Sequence, residues 1–236
     1  MTDSPLLRQR SSAALASGGS SCPEVYRLFE SVVTKIRLSG RMLDFGAGTG
    51  QLTTLLLRSG RFGHVTAVDI LNRPVSVPDE VRWVRADLNH VVPDLASEAF
   101  DVVCSAEVIE HLENPRFVAR EWARLLKPGG VALFSTPNNE SFRSLLSLLV
   151  RGHFAAFHWK YSYPAHITAL LREDARRISE ETGFSTIGVF PSQCGSIPGR
   201  PYVTWQVASL GLLKGLRYSD NILFAWRKKA SNCHIG

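Results

Sequence analysis

The 236-residue sequence predicts an α/β fold: an open, mostly parallel sheet of seven strands with helices on both faces, an antiparallel edge hairpin, and a cap inserted after the fifth strand. Three observations carry that expectation. Short apolar runs alternate with amphipathic stretches from residue 42 onward, the rhythm of strand, crossover helix and parallel strand. The last two apolar runs have no convincing crossover helix between them, so they are expected to pair antiparallel. Residues 141–183 break the rhythm, and an insertion there sits near the carboxyl ends of the central strands, where open α/β sheets bind ligands.

Taken in order, residues 1–21 are rich in Ser, Gly and Ala and have few large apolar residues to repay their ordering, so they are expected to form a mobile arm. Residues 22–236 then form a single domain. Val25, Leu28, Phe29, Val32, Val33 and Ile36 recur at helical spacing, and Ser39 and Gly40 close that segment. Strands are expected at 42–46 (MLDFG), 64–70, 81–87, 100–106 and 130–136, with helices at 51–60 and 115–130, the second stopped by Lys127, Pro128 and Gly129. The insertion holds an apolar stretch, then His153, Phe154, Phe157, His158, Trp159, Tyr161 and Tyr163, then an amphipathic helix. Those aromatics suit the small core of a cap better than a substrate slot. Strands at 184–190 and 222–228 complete the sheet.

Composition narrows the class only a little. At 44% hydrophobic and 20% charged residues the chain is neither disordered nor fibrous, and its length supports one core without staples. The 27 Lys and Arg against 21 Asp and Glu leave a charge of +6, a mild bias toward anionic partners. Cys22, Cys104, Cys194 and Cys233 show no metal-ligand spacing and fit a reducing cytoplasm. No leader-like segment and no run long enough to span a bilayer is evident, so a cytoplasmic location is expected, with contact at the inner face of a membrane left open.

The strongest local signal is LDFGAGTGQ at 43–51, placed between a strand and a helix. Gly46, Gly48 and Gly50 allow a sharp turn that can cradle a ligand, and Asp69 ends the next strand at the spacing where an acidic side chain accepts from ribose hydroxyls. Gln51 stands where a dinucleotide fingerprint needs a third Gly or Ala, which weakens a dinucleotide reading. With Asp44 two residues before the first glycine, the loop resembles motif I of the class I S-adenosylmethionine-dependent methyltransferases. Asp69, Asp87 with Leu88, SAEVIEHLENP, LLKPGG and STPN extend the likeness over about residues 25–190, and the whole resembles the ubiquinone-biosynthesis O-methyltransferases and the type 11 and 23 methyltransferase group.

The resemblance implies a Rossmann-like sheet and S-adenosyl-L-methionine as cofactor. It implies that Asp44 and the Gly46–Gly50 turn hold the methionine end, lined by Ala47 and Gln51. Ile70 and Leu88 would flank adenine, with Asp69 on the ribose, Asp87 at the base and Ser105 near the sulfonium. Asn72, Arg73 and Pro74 depart from the pattern, because relatives commonly begin a helix there.

Methyl transfer to a hydroxyl also requires that a proton be managed. Glu107, Glu110 and His111 follow the fourth strand, and if they open a helix their spacing puts all three on one face. Such a set could hold magnesium (Mg2+) or manganese (Mn2+), which would lower the acceptor's pKa. The segment resembles the metal-binding E-x-x-E-H of the ubiquinone enzymes and of small-RNA 3′-terminal 2′-O-methyltransferases, in which His166 here would complete the site. His111 as a metal-free general base, or as a structural residue, stays open. The first reading is therefore O-methylation of a small or lipid-linked hydroxyl compound such as a sugar, phenol or quinone precursor. RNA 2′-O-methylation is the alternative, against which stands the absence of any long basic stripe. A catalytically silent binding or assembly protein is the third, and the intact loop and carboxylates speak against it. The apolar stretch 203–216 could cover substrate, form a homodimer face or lie on a bilayer.

Overall fold

Strand and helix alternate as expected and close into one sheet. The computed structural model describes residues 5–16, 18–158 and 164–230. Seven strands, β1 (Gly40–Phe45), β2 (Phe62–Asp69), β3 (Arg82–Arg85), β4 (Phe100–Ala106), β5 (Leu126–Pro137), β6 (Phe184–Pro191) and β9 (Asn221–Lys228), pair in the order β3-β2-β1-β4-β5-β9-β6. β1 to β5 run parallel, while β9 pairs antiparallel with both β5 and β6. A separate two-stranded hairpin joins β7 (Ser196–Ile197) to β8 (Arg200–Thr204).

Helices α2 (Pro23–Lys35) and α3 (Gln51–Arg58) cover one face, where Phe29, Met42, Leu52 and Leu56 share a buried cluster. Helices α4 (Pro115–Leu125) and α6 (Arg172–Glu181) cover the other, over Phe45, Trp122, Phe134 and Trp226. The reason is periodicity: Leu43 and Phe45 of β1 point to the second cluster and Met42 to the first, as alternation in a strand buried on both faces requires. α4 starts where Asn114 Oδ1 accepts from the N–H groups of Arg116 and Phe117, both at 3.0 Å, with Pro115 at the first helical position.

The structure differs from the sequence reading in three places. Pro5–Ala16, expected to be mobile, forms helix α1; it is held by polar contacts to the loops above the sheet, which an apolar-pattern reading does not detect. The helix expected at 115–130 ends at Leu125, because Leu126 already pairs with Phe100 as the first residue of β5. α6, read as part of the cap, packs on α4 and β6 as an ordinary layer helix. The cap proper is α5 (Phe142–Arg151) with the chain that follows it, and Phe142 meets Trp205 of the short α7 (Trp205–Ala208). Trp159, Tyr161, Tyr163 and Cys233 lie outside the described residues. Within the cap His153 stacks edge-on against His158 and Phe154 against Phe157, in keeping with a small aromatic core. Among the described residues no helix is long and apolar enough to cross a membrane.

Candidate active site

The carboxyl ends of β1, β2 and β3 deliver three acidic side chains to one rim. Asp44, at the end of β1, is 1% exposed and accepts from the Thr53 hydroxyl; burial, with the nearby Asp69 charge adding to it, pushes its pKa up to about 7. Asp69 accepts from Gly48 N–H at 2.7 Å and Leu71 N–H at 2.8 Å, and burial raises its pKa against those two bonds. Asp87 titrates low: burial pushes it up, but the Asn89 backbone N–H and the Arg10 guanidinium outweigh that.

A strap crosses this rim. The Gly19 carbonyl accepts from Thr49 N–H at 2.8 Å, so residues 18–21 lie directly on the glycine turn. Gly48 has φ +51°, and a Cβ there would stand 2.1 Å from the Gly19 oxygen, so glycine is needed both for the backbone shape and for the close approach. Upstream, Arg10 of α1 forms a two-pronged ion pair with Asp87 and Glu113.

Beyond the rim, β4 leads into a second cluster. Glu107 has φ +55° and Ile109–His111 is a single tight turn, so no regular helix begins here. The expected common face of Glu107, Glu110 and His111 is therefore broken: Glu107 Oε2 instead accepts from Asn221 Nδ2 at 2.6 Å. Glu110, His111 and His166 do meet, with one donor atom from each lying within 4.8 Å of the others. His111 Nδ1 is 2.8 Å from the Ala165 carbonyl and His166 Nδ1 is 2.7 Å from the Ala156 carbonyl. A carbonyl only accepts, so both Nδ1 atoms carry hydrogen and both Nε2 atoms keep their lone pairs.

Glu110 is fully buried, and among the described residues neither of its oxygens completes a hydrogen bond, not even to the Thr136 hydroxyl beside it. Burial, with Glu107 adding to it, raises its pKa well above the carboxylate range. Burial and the neighbouring His166 lower His111 to about 4, and burial lowers His166, so both rings are neutral at pH 7. Two lone-pair imidazoles and an unpartnered carboxylate form a donor set suited to a divalent cation, with the backbone carbonyls fixing both rings.

One cavity of about 870 Å³ joins the two clusters. Asp44, Gly46, Ala47, Gly48, Asp69, Ile70, Asp87 and Leu88 line one end, and Glu107, Glu110, His111 and His166 line the other. Three expected residues do not reach it. Gly50 caps α3 behind the turn, Gln51 points to solvent, and Ser105 is spent on a 2.8 Å bond to the Phe45 carbonyl between β4 and β1.

Residues 20–189 match the sequence family described as a methyltransferase domain, and that span includes both clusters. The chain belongs to the S-adenosylmethionine-dependent methyltransferases. It is 32% identical over 169 residues to the ubiquinone biosynthesis O-methyltransferase of Xanthomonas euvesicatoria, covering 65% of this chain and 70% of that one. The corresponding enzyme of Maricaulis maris is 33% identical over 161 residues, covering 61% and 62%. A possible histamine N-methyltransferase from Thermotoga maritima superposes with a TM-score of 0.60 at 20% identity, over 87% of this chain and 91% of that one. The cyclase SpnF does so with 0.60 at 19%, over 87% and 81%. At such identities these structures share the fold, and their different names show how little the fold alone says about the reaction.

Several residues around the methyltransferase cavity were not anticipated. Arg10 and Gly19 come from the segment dismissed as an arm, and no motif marks them. Asn138 closes the STPN segment and Asn221 begins β9, but their partners were not readable: Asn138 Nδ2 donates to the Leu216 and Ser219 carbonyls, and Asn221 Nδ2 donates to Glu107. Arg143 and Asp220, a 2.9 Å ion pair, also line the cavity.

Proposed function

We propose that this methyltransferase transfers a methyl group to a hydroxyl of a small or lipid-linked molecule, such as a sugar, phenol or quinone precursor. S-adenosylmethionine would lie along Asp44, the Gly46–Gly48 turn, Asp69, Ile70 and Leu88. The observation that carries the choice of oxygen is Glu110: a buried, unpartnered carboxylate aimed with two imidazole Nε2 atoms into the cavity next to that cradle. Nitrogen acceptors with a free lone pair need no such device, whereas a hydroxyl must lose its proton as the carbon–oxygen bond forms.

Glu110, His111 and His166 would hold a divalent cation. Their two nitrogens and one oxygen suit manganese better than magnesium, which prefers oxygen ligands. When bound, the cation supplies Lewis acidity that lowers the acceptor hydroxyl's pKa. The chain itself orients the reactants: the strap and α1 cover the cofactor side, the cap covers the acceptor side, and together they exclude water. In the absence of a cation, Nε2 of His111 or His166 is the proton acceptor, since each ring is neutral at pH 7 and already oriented by its carbonyl.

Calorimetric titration separates these readings. S-adenosylhomocysteine should bind the wild type and the Glu110→Ala, His111→Ala double variant alike, while manganese should bind the wild type only. A folded protein that binds no S-adenosylhomocysteine would overturn the cofactor assignment. Manganese binding unaffected by the double variant would remove Glu110 and His111 as ligands, and manganese binding to neither protein would leave His111 or His166 as base.

A further inference from the structure

Most of the exposed large apolar side chains among the described residues lie on two segments at the acceptor end of the cavity. The first is α5, and it is built inside out. Ser144 and Ser147 are buried against the body, while Phe142, Leu145, Leu148, Leu149 and Val150 face outward, Leu149 at 84% exposed. A surface helix in water normally does the opposite. The second segment is the β8–α7 region, where Tyr202, Val207, Leu210 and Leu212 are exposed, Leu210 at 95%. The edge-on contact of Phe142 with Trp205, at 5.6 Å, joins the two into one face.

Charge on this face is one-sided. No Asp or Glu occurs at 141–171 or at 191–219, although the whole chain has 21, and these stretches carry Arg143, Arg151, Lys160, Arg200, Lys214 and Arg217. Arg151, Arg200, Lys214 and Arg217 are exposed. A second copy of the chain would bring like charges together, which argues against self-association through this face. An outward apolar helix with flanking cations and aromatic rings is the composition that lies in a bilayer interface.

We propose that the face formed by α5 and the β8–α7 segment docks on an anionic lipid bilayer. Ser141 and Arg143 at the start of α5, with Ser196 and Thr204 of the hairpin, line the cavity, so the docked face surrounds its acceptor end. On the function proposed above, an acceptor carried on a lipid would then enter directly from the membrane. The docking itself does not depend on that reading.

Co-sedimentation of the full chain with vesicles tests the proposal. The chain should sediment with phosphatidylcholine–phosphatidylglycerol vesicles and much less with pure phosphatidylcholine, and rising salt should release it. Arg151→Gln with Lys214→Gln should weaken binding about fivefold for each cation removed, on the order of 25-fold for the pair. Leu149→Glu with Leu210→Glu should abolish it. All four positions are exposed, so S-adenosylhomocysteine titration on the same preparations should be unchanged; loss of that binding in the wild type would overturn the function reading and leave the vesicle result standing. The docking is refuted by failure to sediment at low salt, or by binding that survives the leucine pair. It is equally refuted by light scattering that shows a dimer dissolved by the leucine pair, because a second copy would then cover the face.

Discussion

Replacing Gly48 with alanine tests whether the strap is seated on the glycine turn. Alanine at φ +51° costs about 1 kcal/mol for the left-handed conformation. Its Cβ would stand 2.1 Å from the Gly19 carbonyl oxygen, far inside the roughly 3.3 Å at which carbon meets oxygen comfortably. The strap must therefore retreat by about 1 Å, and the 2.8 Å Thr49–Gly19 hydrogen bond is lost, worth about 1 kcal/mol more. For a domain of this size a total of about 2 kcal/mol lowers Tm by roughly 4–8 °C. Gly60→Ala supplies the control, because Gly60 has φ +69° with nothing within 4 Å of a Cβ, so only the conformational cost applies. Differential scanning calorimetry of the two variants, with S-adenosylhomocysteine titration of each, should show Gly48→Ala as the less stable and the weaker binder. Equal Tm losses with equal affinities would refute the seated strap.

Three further outcomes follow from the same geometry. Arg10→Ala should free α1 and raise the trypsin cleavage rate at Arg8 about fivefold, since a partly exposed ion pair is worth about 1 kcal/mol; an unchanged rate would mean that Arg10 does not hold the helix. Asp44 and Glu107, both raised to about 7, take up protons on folding, so their contribution is fully present below about pH 4 and lost as pH rises through 7. Asp44→Asn should accordingly raise the Tm of the ligand-free protein at pH 8 relative to wild type while weakening S-adenosylhomocysteine binding, and a lower Tm at pH 8 would contradict the assigned cause. Asp87 behaves in the opposite sense: its depressed pKa gives stability present above about pH 4 and lost below it, and the Arg10→Ala variant should lose part of that acid-limb dependence in Tm scans.

Both ends of the cavity were readable where chemistry forces a residue type. Gly46, Gly48, Asp44, Asp69 and Asp87 stood out by residue type and spacing at strand ends and turn, and all five line the cavity. Glu110, His111 and His166 were legible as a set, though only through likeness to other enzymes. Glu107 was not separable from them, because its left-handed backbone and its bond to Asn221 depend on a strand 114 residues away. Ser105 misled for a similar reason: a hydroxyl that bridges two strands has the same letter as one that faces a ligand. The order of α1 and of the strap was invisible because the Arg10 ion pairs and the Gly19 carbonyl, which tie them to the rim, leave no periodic trace.

The place of β9 in the sheet also constrains how the chain assembles. Among the described residues β6 pairs with β9 alone, and β9 sits between it and β5, with Phe134 facing Phe224 and Val189 facing Phe224 from the other side. Until residues 221–228 have been synthesised and docked, β5 presents a bare apolar edge and β6 has nowhere to go. The β5–β9 pairing thus joins segments far apart in sequence, whereas β1, β2 and β3, with the glycine turn and the carboxylates, are joined by short-range crossovers and can form first. On the function proposed above, S-adenosylhomocysteine present during refolding should find its side of the cavity formed before β9 closes the other.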